Sequence, residues 1–401
     1  MLRNIFRCID YCEMSPPLAF AGVGPHAREY SEHHREGVLG STVIAEDNTV
    51  CRVLNLKSSD AARLEPGRWW LTRHRDYPLR IKVQFSGPES LKDIATLENA
   101  SRSLSDDKVK HTLSLCMEDV EFLLPFTTLL QRSEEIVLRR CTLTSLEALE
   151  GMGGLRTVEV FGCPGAFDVA SLATCPNLTR VTVSSCPDVA SLEALGRLQN
   201  LREVALRGCR ITNVDFLKNC RMLEEVDVCG SECLTTLSGL SGMPNLKTVA
   251  ANYTAIENFS DLSDCTALES LHATGCTKVT SFDGLLGLRN LNDVNAFRSG
   301  IDNIRGLAGC VALESVNVYG CKTLRSLAGL SNLKNLKTVN ASDSGIENID
   351  GLSGCTALES VHVAHCKNLT SLKALSGLPN LKTVNAAGTR FSPLADSAAL
   401  D

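Results

Sequence analysis

Residues 313–335 read LESVNVYGCKTLRSLAGLSNLKN, residues 336–357 read LKTVNASDSGIENIDGLSGCTA, and residues 358–380 read LESVHVAHCKNLTSLKALSGLPN. The first and third are near copies whose starts lie 45 residues apart. The middle stretch shares their frame but is one residue shorter, so units of 23 and 22 residues alternate. The frame runs back through Leu291, Leu268, Leu246, Leu223, Leu201, Leu178 and Leu155, and forward to Leu381. Weaker units begin near Ser133 and near Lys110. A fixed period of this size marks a stacked repeat architecture.

Each unit reads L-x-x-V/L-x-V/A-x-x-C/S/T-x-L/I/V-x-x-L/I-x-x-L. The alternation at its start predicts a short strand with one buried face. The small ninth residue marks a turn, and the later leucines fill a core on the return path. One unit cannot bury its apolar face alone, so stacking many units is the stable solution. The pattern resembles the leucine-rich repeat, with Cys, Ser or Thr where many families place asparagine. That resemblance implies an α/β solenoid, a horseshoe with a parallel β-sheet on its concave face. Returns of this length leave room for short 3-10 or extended convex segments, as in internalin-like and phosphatase-regulator-like repeats. The C-x10-C frame of Cys175–Cys186 and Cys355–Cys366 resembles that of F-box ubiquitin-ligase receptors. The phrase GCxxLxSLxGL is similar to cysteine-rich repeat proteins of trypanosomes, including adenylate-cyclase regulators. The expected organisation is a small β-rich module over residues 1–109, then about 12–13 coils over residues 110–401.

Eighteen cysteines in a chain without a secretory leader favour reduced thiols inside a cell. One set holds the ninth position (Cys141, Cys163, Cys186, Cys209, Cys276, Cys321, Cys366), and Thr254, Ser299, Ser344 and Thr389 replace it elsewhere. A second set (Cys175, Cys220, Cys265, Cys310, Cys355) closes the return. Replacement of Cys by Ser or Thr fits a structural turn and spoils a metal ladder. The cluster Cys355, His362, His365 and Cys366 therefore reads as two core thiols and two surface histidines, not a zinc site. No phosphate loop, metal-spaced His/Glu pair or activated nucleophile stands out, so neither enzyme chemistry nor a cofactor is expected.

Fifth positions from Leu268 onward are His272, Asn295, Asn317, Asn340, His362 and Asn385, a polar ladder along the concave face. Phe297 and Tyr319 follow at seventh positions, with Phe161 and Tyr253 farther off. Aromatic side chains beside hydrogen-bonding groups suit a protein partner. The six ladder residues with Phe297, Tyr319 and His365 form the candidate partner-binding set; a ladder that only satisfies itself is the alternative. Second positions carry Lys247, Glu269, Asn292, Glu314, Lys337, Glu359 and Lys382, which predicts modest cross-strand charge pairing.

Residues 1–109 lack the repeat, and 41–56, 67–77 and 79–85 read as strands. Here Arg68, Trp70, Arg73, Arg75, Tyr77, Arg80 and Lys82 interleave basic and aromatic side chains, a pattern able to hold RNA. The same residues also suit a strand that buries its tryptophans while arginines reach water. A net charge of −6 argues against a protein held mainly on phosphate backbones. The start MLRNIFR is basic and amphipathic, so mitochondrial import stands beside the favoured cytoplasmic location. No apolar run is long enough to span a membrane.

The functional expectation is a non-catalytic scaffold binding a protein on the concave face. The alternatives are a subunit of a mitochondrial RNA–protein assembly, or a regulatory subunit of a cyclase, phosphatase or ubiquitin ligase.

Overall fold

The computed structural model of the chain describes residues 41–44, 50–57, 79–86, 94–106 and 111–390. In the coil that opens at Leu291, the side chains of Leu291, Val294 and Ala296 are fully buried, while Asp293 and Asn295 are only partly covered. This alternation is the signature of a strand with one face in the core. The strand Asp293–Asn295 pairs in parallel with Ser270–His272 on one side and Ser315–Asn317 on the other. Like positions face like: Val294 opposes Leu271 and Val316, and Asn295 opposes His272 and Asn317.

Repetition of this unit gives eleven parallel strands in sequence order, from β6 (Thr157–Phe161) to β16 (Thr383–Asn385). The return path of each coil carries a 3-10 turn such as Arg305–Leu307, whose leucine is buried. A full helix does not fit in 22 or 23 residues, and the shorter turn is what the spacing predicts. Coils approach closely here. A Cβ built on Gly306 would lie 1.8 Å from the Phe282 carbonyl oxygen, so only glycine fits at that turn. Phe259 and Phe282 stack across neighbouring coils, with centroids 5.8 Å apart. The architecture is a leucine-rich-repeat solenoid.

The described residues fall into two compact units, one running to Val120 and including Pro125–Ile136, the other built from Glu121–Leu124 and Val137 onward. In the first, β1 (Ser41–Ile44) pairs antiparallel with β2 (Val50–Lys57). Strands β2, β3 (Leu79–Ser86) and β4 (His111–Glu118) then pair in parallel. Their inward row includes Ile81, Val83, Phe85, Leu113, Leu115 and Met117, all buried. Helix α1 (Ile94–Asp106) connects β3 to β4, an element absent from the strand-only reading of this stretch. Strand β5 (Ser133–Arg139) carries the chain into the second unit.

Candidate partner-binding face

The strands of the later coils are three residues long, and the chain leaves the sheet after the fifth position. The backbone N–H of the seventh position then needs an acceptor of its own. Asparagine at the fifth position supplies it. Asn295 Oδ1 accepts from Phe297 N at 3.1 Å, Asn317 from Tyr319 at 3.1 Å, Asn340 from Ser342 at 3.2 Å and Asn385 from Ala387 at 3.2 Å. Asp227 does the same for Cys229 at 3.0 Å. The ladder is thus bonded within each coil, not from coil to coil as the spacing alone suggests. The two histidines differ: His272 and His362 each place Nε2 on the hydroxyl two residues before, Ser270 at 3.0 Å and Ser360 at 2.9 Å. His272 Nδ1 also lies 3.9 Å from Asp293.

The seventh positions bring Phe297 and Tyr319 together. Their rings stack with centroids 4.8 Å apart and planes 9° from parallel. Arg298 lies over them, its guanidinium carbon 5.1 Å from the Phe297 centroid and 6.0 Å from that of Tyr319. Such placement over aromatic faces is attractive by the ring quadrupole. Arg139 sits over Phe161 in the same manner at 4.9 Å.

The eighth position adopts left-handed backbone geometry in every coil of this series. Arg140, Ser185, Tyr253, Arg298, Asp343 and His365 have φ between 51° and 61°, and glycines occupy the remaining coils. Tyr253 is 60% exposed, and Arg298 and His365 are exposed as well. Asp343 is held by Lys322 at 2.6 Å, which keeps its carboxyl below the usual range. Of the candidate set, His365 lies in this turn beyond the end of the strand Ser360–His362.

Second-position charges pair as the pattern implies. Lys247 reaches Glu224 at 2.7 Å, Lys337 reaches Glu314 at 2.7 Å and Lys382 reaches Glu359 at 2.6 Å, each from one coil to the preceding one. Hydrogen bonds from these lysines hold Glu224 and Glu359 below the ordinary carboxylate range.

The cysteines serve carbonyls. Thiols of the second set meet the carbonyl ending the 3-10 turn of the preceding coil: Cys265 to Leu240 at 3.2 Å, Cys310 to Leu285 at 3.3 Å, Cys355 to Leu330 at 3.1 Å. At the ninth position a hydroxyl and a thiol share one carbonyl. Ser299 donates to Ala296 O at 2.8 Å, and Cys321 of the next coil approaches the same oxygen at 3.3 Å. Thr254 with Cys276 and Ser344 with Cys366 repeat the arrangement. In the later coils hydroxyl and thiol thus alternate around shared carbonyls, whereas Cys186 and Cys209 follow one another and reach Val160 O and Val183 O of the coil before. Burial pushes the Cys209 and Cys220 thiols up to about 11. Among the cysteines whose side chains are described no disulfide is present, and no described group of three or more His, Cys, Asp or Glu side chains is arranged to hold a metal.

Of the expected RNA-binding residues, Arg68, Trp70, Arg73, Arg75 and Tyr77 lie outside the described residues. Arg80 and Lys82 belong to β3, where Lys82 is exposed. The MLRNIFR segment also lies outside them. No described helix is long and apolar enough to cross a membrane. Sequence reasoning missed Arg298 and the left-handed row; the alternation of Gly275, Arg298, Gly320 and Asp343 was the available signal.

No protein-family model matches this sequence, and no curated protein matches it. Solved structures do share its fold. An internalin (InlF) from Listeria monocytogenes is 15% identical with a TM-score of 0.54, covering 79% of this chain and 82% of its own. A leucine-rich-repeat protein from Leptospira interrogans is 14% identical with a TM-score of 0.57, covering 79% and 86%. The plant peptide hormone receptor RGFR1, solved in complex with RGF2, is 15% identical with a TM-score of 0.52, covering 84% and 61%.

Proposed function

We propose that this protein is a non-catalytic scaffold that binds a protein partner on the exposed face of its parallel sheet. The observation that carries this reading is the Phe297–Tyr319 stack with Arg298 over it. Two half-buried rings and a guanidinium beside a polar carpet combine the residue types that dominate binding energy at protein interfaces. The rigid coil-on-coil stacking holds them at fixed spacing, so little conformational entropy is lost on docking. The fold is shared with a receptor solved in complex with RGF2, which supports a binding role. An enzyme regulated by docking, such as the cyclases implied by the sequence resemblance, is one partner of this kind.

Affinity purification of the tagged chain from its native cell, beside Phe297→Ala/Tyr319→Ala, tests the reading. The expected result is loss of the co-purifying protein at unchanged thermal stability. Equal recovery by both forms sinks it.

A further inference from the structure

The fifth-position asparagines do one structural job with one end of the amide. Each Oδ1 accepts from the backbone two residues on, and the acceptor requirement of that N–H fixes which end faces it. The Nδ2 groups of Asn295, Asn317, Asn340 and Asn385 make no hydrogen bond to any described residue. An acceptor is all that the turn needs. Asp227 shows this directly, serving Cys229 N with one oxygen while Arg207 takes the other at 2.6 Å. The asparagine coils thus offer outward a series of donors with no matching acceptors.

Charge on the neighbouring rim points the same way. The carboxylates bordering these coils are engaged: Asp343 by Lys322, Glu314 by Lys337 and Glu359 by Lys382. Arg298 forms no close ion pair with a described residue. Asp343 feels its charge, but that carboxylate is already bonded to Lys322, so the guanidinium remains available beside the ladder. Asp293, next to His272, bounds the donor series on its other side. Asn295 and Asn385 are four coil steps apart, ~19 Å at the usual strand spacing, a span that about six extended residues cover.

From this we infer that the ladder grips an extended acidic segment of the partner polypeptide, with Asn317 and Asn340 donating to its carbonyl or carboxylate oxygens and Arg298 meeting its charge. This rests on the docking reading above and names the chemistry of the partner. Charge-assisted hydrogen bonds and bidentate guanidinium contacts are the strong form of such recognition.

The test is fluorescence anisotropy on the full chain with a labelled 12-residue Asp/Glu peptide, its Asn/Gln isostere and a Lys version. The variant Asn317→Asp/Asn340→Asp keeps the acceptor for each turn, as Asp227 does, and removes both donors. The acidic peptide is expected to bind best, to weaken with salt, and to lose at least tenfold in affinity with that variant. Arg298→Gln, which leaves the ladder intact, is expected to weaken binding several-fold and serves if the double variant melts early. Equal binding of the neutral isostere, no binding of the acidic peptide, or affinity unchanged by both variants overturns the proposal and leaves the ladder a turn support only. Loss of the cellular partner on Phe297→Ala/Tyr319→Ala, with no acidic-peptide binding, removes this inference while the docking reading stands.

Discussion

Tyr253 covers Gly275 of the next coil so closely that a Cβ built on that glycine would come within 2.6 Å of its ring. Arg298 covers Gly320 at 2.8 Å and His365 covers Gly388 at 2.4 Å in the same sense. Tyr253, Arg298 and His365 are thus each followed by glycine in the next coil, whereas the shorter Asp343 is followed by His365.

Gly275→Ala should therefore destabilise the chain on two counts. The left-handed backbone at φ 71° costs roughly 1–2 kcal/mol for a residue with a Cβ, and the Tyr253 ring must also move. Adding Tyr253→Ala to it should recover the steric part alone. Urea unfolding of the three forms measures both contributions.

The buried thiols predict a stability that fails in alkali. Burial raises Cys209 and Cys220 to about 11 and, with Asp227 contributing, Cys229 to about 12, against an unfolded value near 9. Below 9 both states hold the proton and the contribution is complete. As pH rises the unfolded chain releases it first, so stability falls through the range 9 to 12. Each tenfold difference in proton affinity between the two states is worth about 1.4 kcal/mol at most. Urea midpoints at pH 8 and pH 11 should differ clearly, and a flat profile contradicts the burial.

Thiol reagents give a second view of the same core. Among the cysteines whose side chains are described Cys233 alone is exposed, so it should react fastest of these at neutral pH while the ladder thiols wait for unfolding. Cys233→Ser should remove the fast phase assigned to the repeat region in a time-resolved modification followed by mass spectrometry.

Cys355→Val isolates the carbonyl-serving role of the second cysteine set. Valine is apolar and one methyl group bulkier, and Leu330 O loses its thiol contact at 3.1 Å. A loss of about 1 kcal/mol is expected. Lys337→Ala, by contrast, removes an exposed pair with Glu314 and should change stability by less than about 1 kcal/mol. Thermal melts of the two variants should keep that order.

Much of the fold is legible in the sequence because a 45-residue double period constrains every coil alike: Leu291, Val294 and Leu307 are placed inward by spacing alone. The roles of Ser299 and Cys321 are legible only as a turn, since the shared Ala296 carbonyl belongs to the stacking of coils and leaves no local mark. Asn317 stands out as a surface residue, but its bond to Tyr319 N depends on where the strand ends. Helix α1 escapes a strand-based reading although Ile94 and Leu97 stand three apart as on a helical face, because the β-rich patterns on either side are stronger.

The central claim is that the partner meets the face carrying Phe297 and Tyr319. A photo-reactive benzophenone side chain in place of Tyr319, compared with one in place of Leu286, tests it most directly. Leu286 is 66% exposed and follows the 3-10 turn Asp283–Leu285, making it the rival apolar surface. Irradiation in cells should give a covalent adduct with one protein from position 319 and none from position 286. An adduct from position 286 alone would contradict the account.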